Sequence, residues 1–298
     1  MNRQSLSSIG YRSYAPSGTG IVVRTVIASP DLDTCLTALI LGIGPGNEVS
    51  LAPAGATDTE LADPQVLCIE AGGSGRLRDN NFDHHDPGQD LPPACVQAWY
   101  HNGCDPALER LVHYVALVDE AKPGASVAFP SLSNVFSGMR LLELDPLQRF
   151  ITGLDLLNRV LARCLDPFAS LPEDAAWQPY IAAKHDNHRR VKEALATALF
   201  FTTAGRLDAC YCESQAAGGM GALYARGCDV VIMHNPAWGE PPVSKYTIAG
   251  KGRPVAVLLE KLDEHEPGWG GRATIIGSPR AGSRLKPDEV MSIVKKFL

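Results

Sequence analysis

The chain has 298 residues, about twice the usual single-domain size, so two domains are expected. Hydrophobic residues make up 45% and charged residues 20%, which fits a folded globular protein and excludes a disordered one. With 33 acidic against 27 basic residues the net charge is −6. That balance argues against a surface coating long duplex DNA, but leaves room for a small nucleotide or short single strand in a locally charged cleft.

The segment up to Pro30 carries Arg3, Arg12, Arg24 and many serines but no acid. It is weakly like an organellar transit segment and is read instead as a ragged polar N-terminus. Gly20 to Ala28 is rich in β-branched residues and reads as a buried strand, and Thr34 to Leu41 behind it reads as a helix. The longest apolar stretch, Leu36 to Ile43, is broken by Thr37 and Gly42 and is too short to span a bilayer. With no secretory core either, a cytoplasmic protein without a membrane partner is expected. Gln65 to Glu70 is a second strand, ending in the glycine loop Ala71-Gly72-Gly73-Ser74-Gly75, and helices are expected over Pro93–His101 and Asp105–Asp119.

The middle of the chain differs. Pro146 to Leu165 and Pro179 to Leu199 are helical in pattern, the second running into a strand-like Phe200-Phe201-Thr202. Between them, Asp166 to Glu173 is rich in Pro and acid and reads as a hinge. The last third suggests strands at Leu207–Glu213, Asp229–His234, Lys245–Ala249 and Arg272–Ile276, with helices at Gly219–Arg226, Pro254–Glu264 and Pro287–Phe297. Alternating strands and helices make this an α/β protein. The expected divisions are residues 1–165, a helical linker at 166–198, and a smaller α/β domain at 199–298.

The eight cysteines are scattered. Cys35, Cys68, Cys95, Cys164 and Cys228 lie in or beside apolar runs, as buried free thiols do, and the lone Cys210-x-Cys212 is a poor zinc site.

Acids and histidines concentrate at the ends of the expected strands, where open α/β sheets place ligands. Asp31 and Asp33 follow the first strand, and two carboxylates on an extended turn offer hard oxygen ligands, although Asp33 also suits a helix N-cap. Glu70 ends the second strand; it reads equally as a ligand or as a polar strand end. Asp83-His84-His85-Asp86 suits a metal site, because an acid can hold an imidazole tautomer while the other ring nitrogen binds metal, but it also suits a surface loop. Asp119 ends an apolar helix, where the helix dipole disfavours an acid.

Taken together, Pro-Asp-x-Asp, a strand-terminal acid, Asp-His-His and a helix-terminal Asp resemble the DHH phosphoesterase superfamily. That group includes RecJ-type exonucleases, nanoRNases, cyclic-dinucleotide phosphodiesterases and family II pyrophosphatases. The resemblance implies a mostly parallel-stranded N-terminal domain of the DHH type and one or two divalent ions, usually manganese. Asp31, Asp33, Glu70, His84 and Asp119 would hold them, with Glu70 as the bridge. His85 would face the substrate phosphate as a donor or proton source, and Asp83 would orient the histidines. Two departures stand out. Ile27 occupies the position of the first-motif histidine, and Glu70 replaces an aspartate, so one ion site is complete and the other impoverished unless a residue such as His101 contributes.

Gly268-Trp269-Gly270-Gly271-Arg272, followed by Ser278-Pro279-Arg280, resembles the glycine-rich substrate loop of the DHH-associated C-terminal domain. Gly270, Gly271, Arg272 and Arg280 would then bind phosphate or carboxylate oxygens, although a tight turn would also use such glycines. The expectation is a metal-dependent phosphoesterase for a small nucleotide or short oligonucleotide, working in a cleft between two domains, with a homodimer left open. The alternative is a catalytically degenerate scaffold that binds a nucleotide or metal.

Overall fold

Four short runs of apolar and β-branched residues build the first sheet: β1 (Arg24–Ile27), β2 (Glu48–Leu51), β3 (Val66–Ile69) and β4 (Asn81–Phe82). The computed structural model describes residues 24–44, 46–122, 129–142 and 144–298. The polar N-terminus and the Gly20–Val23 part of the expected first strand lie outside the described residues. All pairings in this sheet are parallel, in the order β2-β1-β3-β4. Ile27 pairs with Ile69, and Ile69 with Phe82, so three strands end side by side at their C-terminal edge.

Helices α1 (Leu32–Ile40), α2 (Asp58–Ala62), α3 (Ala94–His101), α4 (Glu109–Asp119), α5 (Leu132–Leu141), α6 (Pro146–Ala162) and α7 (Gln178–Ala196) follow. Every residue of α1 is buried, as a helix packed on a sheet and against α3, α4 and α6 must be. Cap chemistry sets several starts. Asp145 accepts from the Leu147 and Gln148 amides, with Pro146 in the first turn of α6, and Ser131 and Asn134 form a capping box on α5. Ile27, Leu36, Ile69, Phe82, Tyr114, Leu154 and Trp177 share one core, while Val26, Leu61, Val66 and Cys68 make a smaller one.

The chain divides into two compact units between Lys184 and His185. The second unit holds β5 (Leu199–Thr202), β6 (Asp208–Glu213), β7 (Val230–Trp238), β8 (Val243–Gly250), β9 (Gly270–Arg272) and β10 (Ile275–Gly277). They form one mixed sheet in the order β5-β6-β7-β8-β10-β9, in which only β6 and β7 run parallel. Its helices are α8 (Met220–Ala225), α9 (Leu259–His265) and α10 (Pro287–Phe297), the last amphipathic with Val290, Ile293 and Val294 buried. The molecule is thus α/β throughout, with an all-parallel first sheet and a smaller mixed second one.

Several elements depart from the sequence reading. The single strand expected at Arg272–Ile276 is two strands, because the chain turns at Ala273 and Thr274 and Gly271 pairs with Ile276. The helix expected from Asp105 starts at Glu109, since the Asp105 carboxylate takes the Ala107 amide in a local turn. The Pro254–Glu264 helix opens as a 3₁₀ turn over Ala256–Leu258. Cys164, expected to be buried, is exposed; all eight thiols are free. Among the described residues, no helix is long and apolar enough to cross a membrane.

Two glycines allow helices of the first unit to touch. A Cβ on Gly138 of α5 would overlap the backbone of Tyr180 in α7, and one on Gly153 of α6 would stand 2.7 Å from Cys35 Sγ in α1 and 3.1 Å from Phe136 in α5. Gly138→Val is therefore expected to destabilise this unit by about 1–3 kcal/mol, the usual cost of overpacking. Thermal unfolding should show a lowered midpoint, while Gly44→Ala, which meets nothing within 4 Å, leaves it unchanged.

Candidate metal centre

The three adjacent strand ends place the motif residues. After β1, Asp31 caps α1 by accepting the Thr34 amide at 2.9 Å, so Asp31 rather than Asp33 is the cap. Asp33 sits in the first turn of α1 and turns the other way. Its two oxygens accept the backbone amides of Ala94 (2.9 Å) and Cys95 (2.8 Å) at the start of α3, a helix with no cap of its own. After β3, Glu70 adopts a left-handed backbone (φ +54°) while its amide remains bonded to Phe82 O. That conformation costs a side-chain-bearing residue about 1–2 kcal/mol, so the position holds a carboxylate where glycine would fit more easily. After β4 come Asp83, His84 and His85, and Asp119 ends α4.

Asp33, Glu70, His84 and Asp119 each offer one ligand atom, and these four atoms lie within 4.8 Å of one another. His84 Nε2 is 3.1 Å from Glu70 Oε1 and 3.2 Å from Asp119 Oδ2. Adjacent ligands at about 2.1 Å from an octahedral cation would be about 3.0 Å apart, so the spacing is that of a coordination shell. His84 Nε2 and Glu70 Oε1 are both buried without a hydrogen-bond partner, which a shared cation would remedy. Three carboxylates and one imidazole are a donor set suited to a hard or borderline divalent ion. The residues fit a metal.

The electrostatics agree. Burial, then the charge of Glu70, pushes the Asp33 carboxyl up to about 8, despite the amides that it accepts. Burial, followed by the charges of Asp31, Asp119 and Asp83, pushes Glu70 up to about 9. Asp119 is raised as well, chiefly by burial, against the pull of His84.

Asp83 lies beside this cluster. Burial alone would raise its carboxyl, but the His85 amide, the Ser74 hydroxyl and the Gly72 amide all donate to it and hold it below its ordinary value. It thereby ties the glycine loop to the histidine pair. Gly73 packs against Asn81, where a Cβ would stand 2.9 Å from the side-chain amide. His85 is largely exposed, with Nδ1 3.7 Å from both Glu70 and Asp83. It opens onto a cavity of about 480 Å³ lined by the Gly72–Ser74 loop, Arg76, His85 and Gln89.

The remaining candidates stand apart from the four-residue group. Asp31 is not in it, though its charge reaches Glu70 and Asp119. Ile27 is fully buried in the apolar core. His101 packs its ring edge-on against Phe82 and joins no metal-ligating group among the described residues. In the second unit, Gly270, Gly271 and Arg272 form β9, and Gly271 (φ +154°) is glycine because a Cβ would strike the Ile275 backbone. Arg272 and Arg280 are exposed, and the charge of Arg280 reaches Lys245. Sequence reasoning missed the amides of Ala94 and Cys95 and the Ser74 hydroxyl. Of these only Ser74, inside a glycine loop, carried a visible signal.

No family model and no curated protein matches the sequence significantly. Among solved structures, the pGpG-specific phosphodiesterase of Vibrio cholerae matches 90% of this chain and 96% of its own, with a TM-score of 0.56 at 11% identity. A DHH domain described as coming from a member of a family of ribosomal proteins matches 90% of this chain and 91% of its own, with a TM-score of 0.46 at 11% identity. The chain thus shares the fold of that pGpG-specific phosphodiesterase. Within that fold the acidic and imidazole groups meet at the strand ends.

Asp33 and Glu70 have folded-state values far above the unfolded ones of about 3.9 and 4.3. Their protonation therefore stabilises the metal-free fold fully below about pH 4, and that contribution is lost as pH rises towards 9. In EDTA, the thermal midpoint of the first unit should fall between pH 5 and 9. Added Mn²⁺ should restore it at the alkaline end, and a flat EDTA profile would contradict the burial of these charges.

Proposed function

We propose that the protein is a metal-dependent phosphoesterase that hydrolyses a phosphodiester or phosphoanhydride bond in a small nucleotide or short oligonucleotide. The convergence of Asp33, Glu70, His84 and Asp119, with two buried ligand atoms lacking any other partner, carries this reading. The DHH-type fold, shared with a phosphodiesterase that acts on pGpG, supports it. Those four residues would hold the cation. A divalent ion there, manganese by the family resemblance, supplies Lewis acidity towards a phosphoryl oxygen and offsets its growing charge.

The chain's own groups do the rest. His85, exposed and beside the cluster, donates to a phosphate oxygen and supplies a proton to the leaving group. Asp83 positions His85 through the backbone amide that it accepts at 2.6 Å, and fixes the glycine loop on the same side. Asp31 supplies a further carboxylate for a second, weaker ion. In the second unit, Arg272 and Arg280, with the backbone of Gly270 and Gly271, bind the remote end of the substrate.

A second reading has its own observation. Ile27 closes the end of β1 with apolar core, so a scaffold that binds a nucleotide or metal without turnover is the alternative. Metal counting and hydrolysis separate the two. With Mn²⁺, the protein should hydrolyse bis-nitrophenyl phosphate or short oligonucleotides. Losing a group that merely orients a metal ligand costs about 10–100-fold, so removing a ligand by His84→Ala should cost at least about 100-fold in both metal affinity and turnover. Asp33→Asn, which keeps an acceptor for α3 but loses the charge, should also abolish turnover. Bound metal without turnover in the wild type favours the scaffold; full activity in both variants removes this site assignment.

A further inference from the structure

We propose that Arg140, Arg149 and Lys184 form an anion subsite in the N-terminal unit that takes a phosphate group. Each lies one turn from a close contact between helices of that unit. Gly153 of α6 lies against Cys35 of α1 and Phe136 of α5, and Gly138 of α5 lies against Tyr180 of α7. Residues four apart share a helix face. Four residues before Gly153 is Arg149, four after Phe136 is Arg140, four after Tyr180 is Lys184, and four before Cys35 is Asp31. The charges are also felt along this series: that of Arg140 by Arg149 and by Lys184, and that of Asp31 by Arg149.

None of the three makes an ion pair or side-chain hydrogen bond among the described residues. Arg110, Arg159 and Arg163 of the same unit, by contrast, each hold a carboxylate at 2.5–2.8 Å. Arg149 is the telling case, since its Nε is buried and has no partner at all. Arg149 as a whole is only partly buried, so the rest of its guanidinium remains open to a ligand that brings its own oxygens. Burial, then the charge of Arg140, pulls both Arg149 and Lys184 below their usual values, so the cations crowd one another. An anion relieves that repulsion, and the guanidinium fork matches the oxygens of phosphate. The charge of Asp31 is felt both by Arg149 and by Glu70 and Asp119 of the acidic cluster. On the phosphoesterase reading, on which this further step rests, the anion is a second phosphate of the substrate, beside the bond to be cleaved.

The test separates the subsite from the chemistry. The full-length protein in EDTA, titrated with inorganic phosphate and with pyrophosphate and followed by calorimetry, should bind both. Arg140→Gln and Lys184→Gln, at accessible positions, should each weaken binding about tenfold, as expected for loss of one charge-assisted bond. Arg149→Gln should weaken it further, and Mn²⁺ affinity should not change in any of them. Phosphate affinity equal to wild type in an Arg140→Gln/Lys184→Gln double variant overturns the proposal, as does a wild type that binds neither anion. Phosphate binding lost in the variants of a protein that proves unable to hydrolyse phosphoesters would sustain the subsite and remove only its assignment to a substrate.

Discussion

The N-terminal unit is organised by a cost: Asp33 and Glu70 are buried close together, where neither carboxylate can ionise freely. Parallel pairing causes this, because Ile27, Ile69 and Phe82 end in register and the chain segments that follow must crowd the same edge. The fold offsets part of the charge with dipoles. The first amides of α3 turn both oxygens of Asp33 into hydrogen-bond acceptors, and this contact also stands in for the missing cap of that helix. Glu70 shares a side-chain hydrogen bond with Asp33 but receives no backbone amide among the described residues, and its Oε1 faces the equally unpartnered His84 Nε2. The charge left over calls for a cation. On this view the strained backbone of Glu70 and the close-packed glycine loop keep ligand atoms at one point against their mutual repulsion.

Much of this is legible in the sequence because its chemistry is local. Acids and histidines stand directly after apolar runs, so their convergence follows once the strands are taken as parallel. The sequence suggests a cap on α1 but points to Asp33 for it. Asp31 and Asp33 differ by two positions on a turn, and only the tertiary approach of α3 decides which one turns inward. The strand β2 escapes a sequence reading because Glu48-Val49-Ser50-Leu51 is a polar edge strand with partial burial, whereas α5 carries a signal that the sequence reading passes over: Leu132, Val135, Phe136 and Met139 form an apolar stripe behind the Ser131–Asn134 capping box. The β9–β10 hairpin reads as one strand, since Ala273 and Thr274 are not typical turn residues. Arg140, Arg149 and Lys184 give no signal, being spread over three helices that only the contacts at Gly138 and Gly153 align.

The two departures from the family pattern bear on each other. With Ile27 committed to the core, nothing at the end of β1 supplies a nitrogen ligand, and the nearest acid, Asp31, spends an oxygen on capping α1. Glu70 is one methylene longer than aspartate and reaches His84 from a backbone turned left-handed. The donors thus gather towards Asp33, His84 and Asp119, and away from Asp31. A metal held by a site arranged in this way would be a single ion, and other groups would have to neutralise the far side of a phosphate.

That requirement gives the three unpaired cations a physical place in the scheme. A chain with a net charge of −6 presents a repulsive average field to a phosphate ester, so attraction has to be local. On the phosphoesterase reading, an ion between Asp33, Glu70, His84 and Asp119 would attract one phosphate, and Arg140, Arg149 and Lys184 would attract a second. A monoester with one phosphate could use either group of charges but not both. A substrate carrying two phosphates at fixed separation would engage both. On that reading, selection for a short, multiply charged molecule over a long polymer would come from charge spacing within one unit.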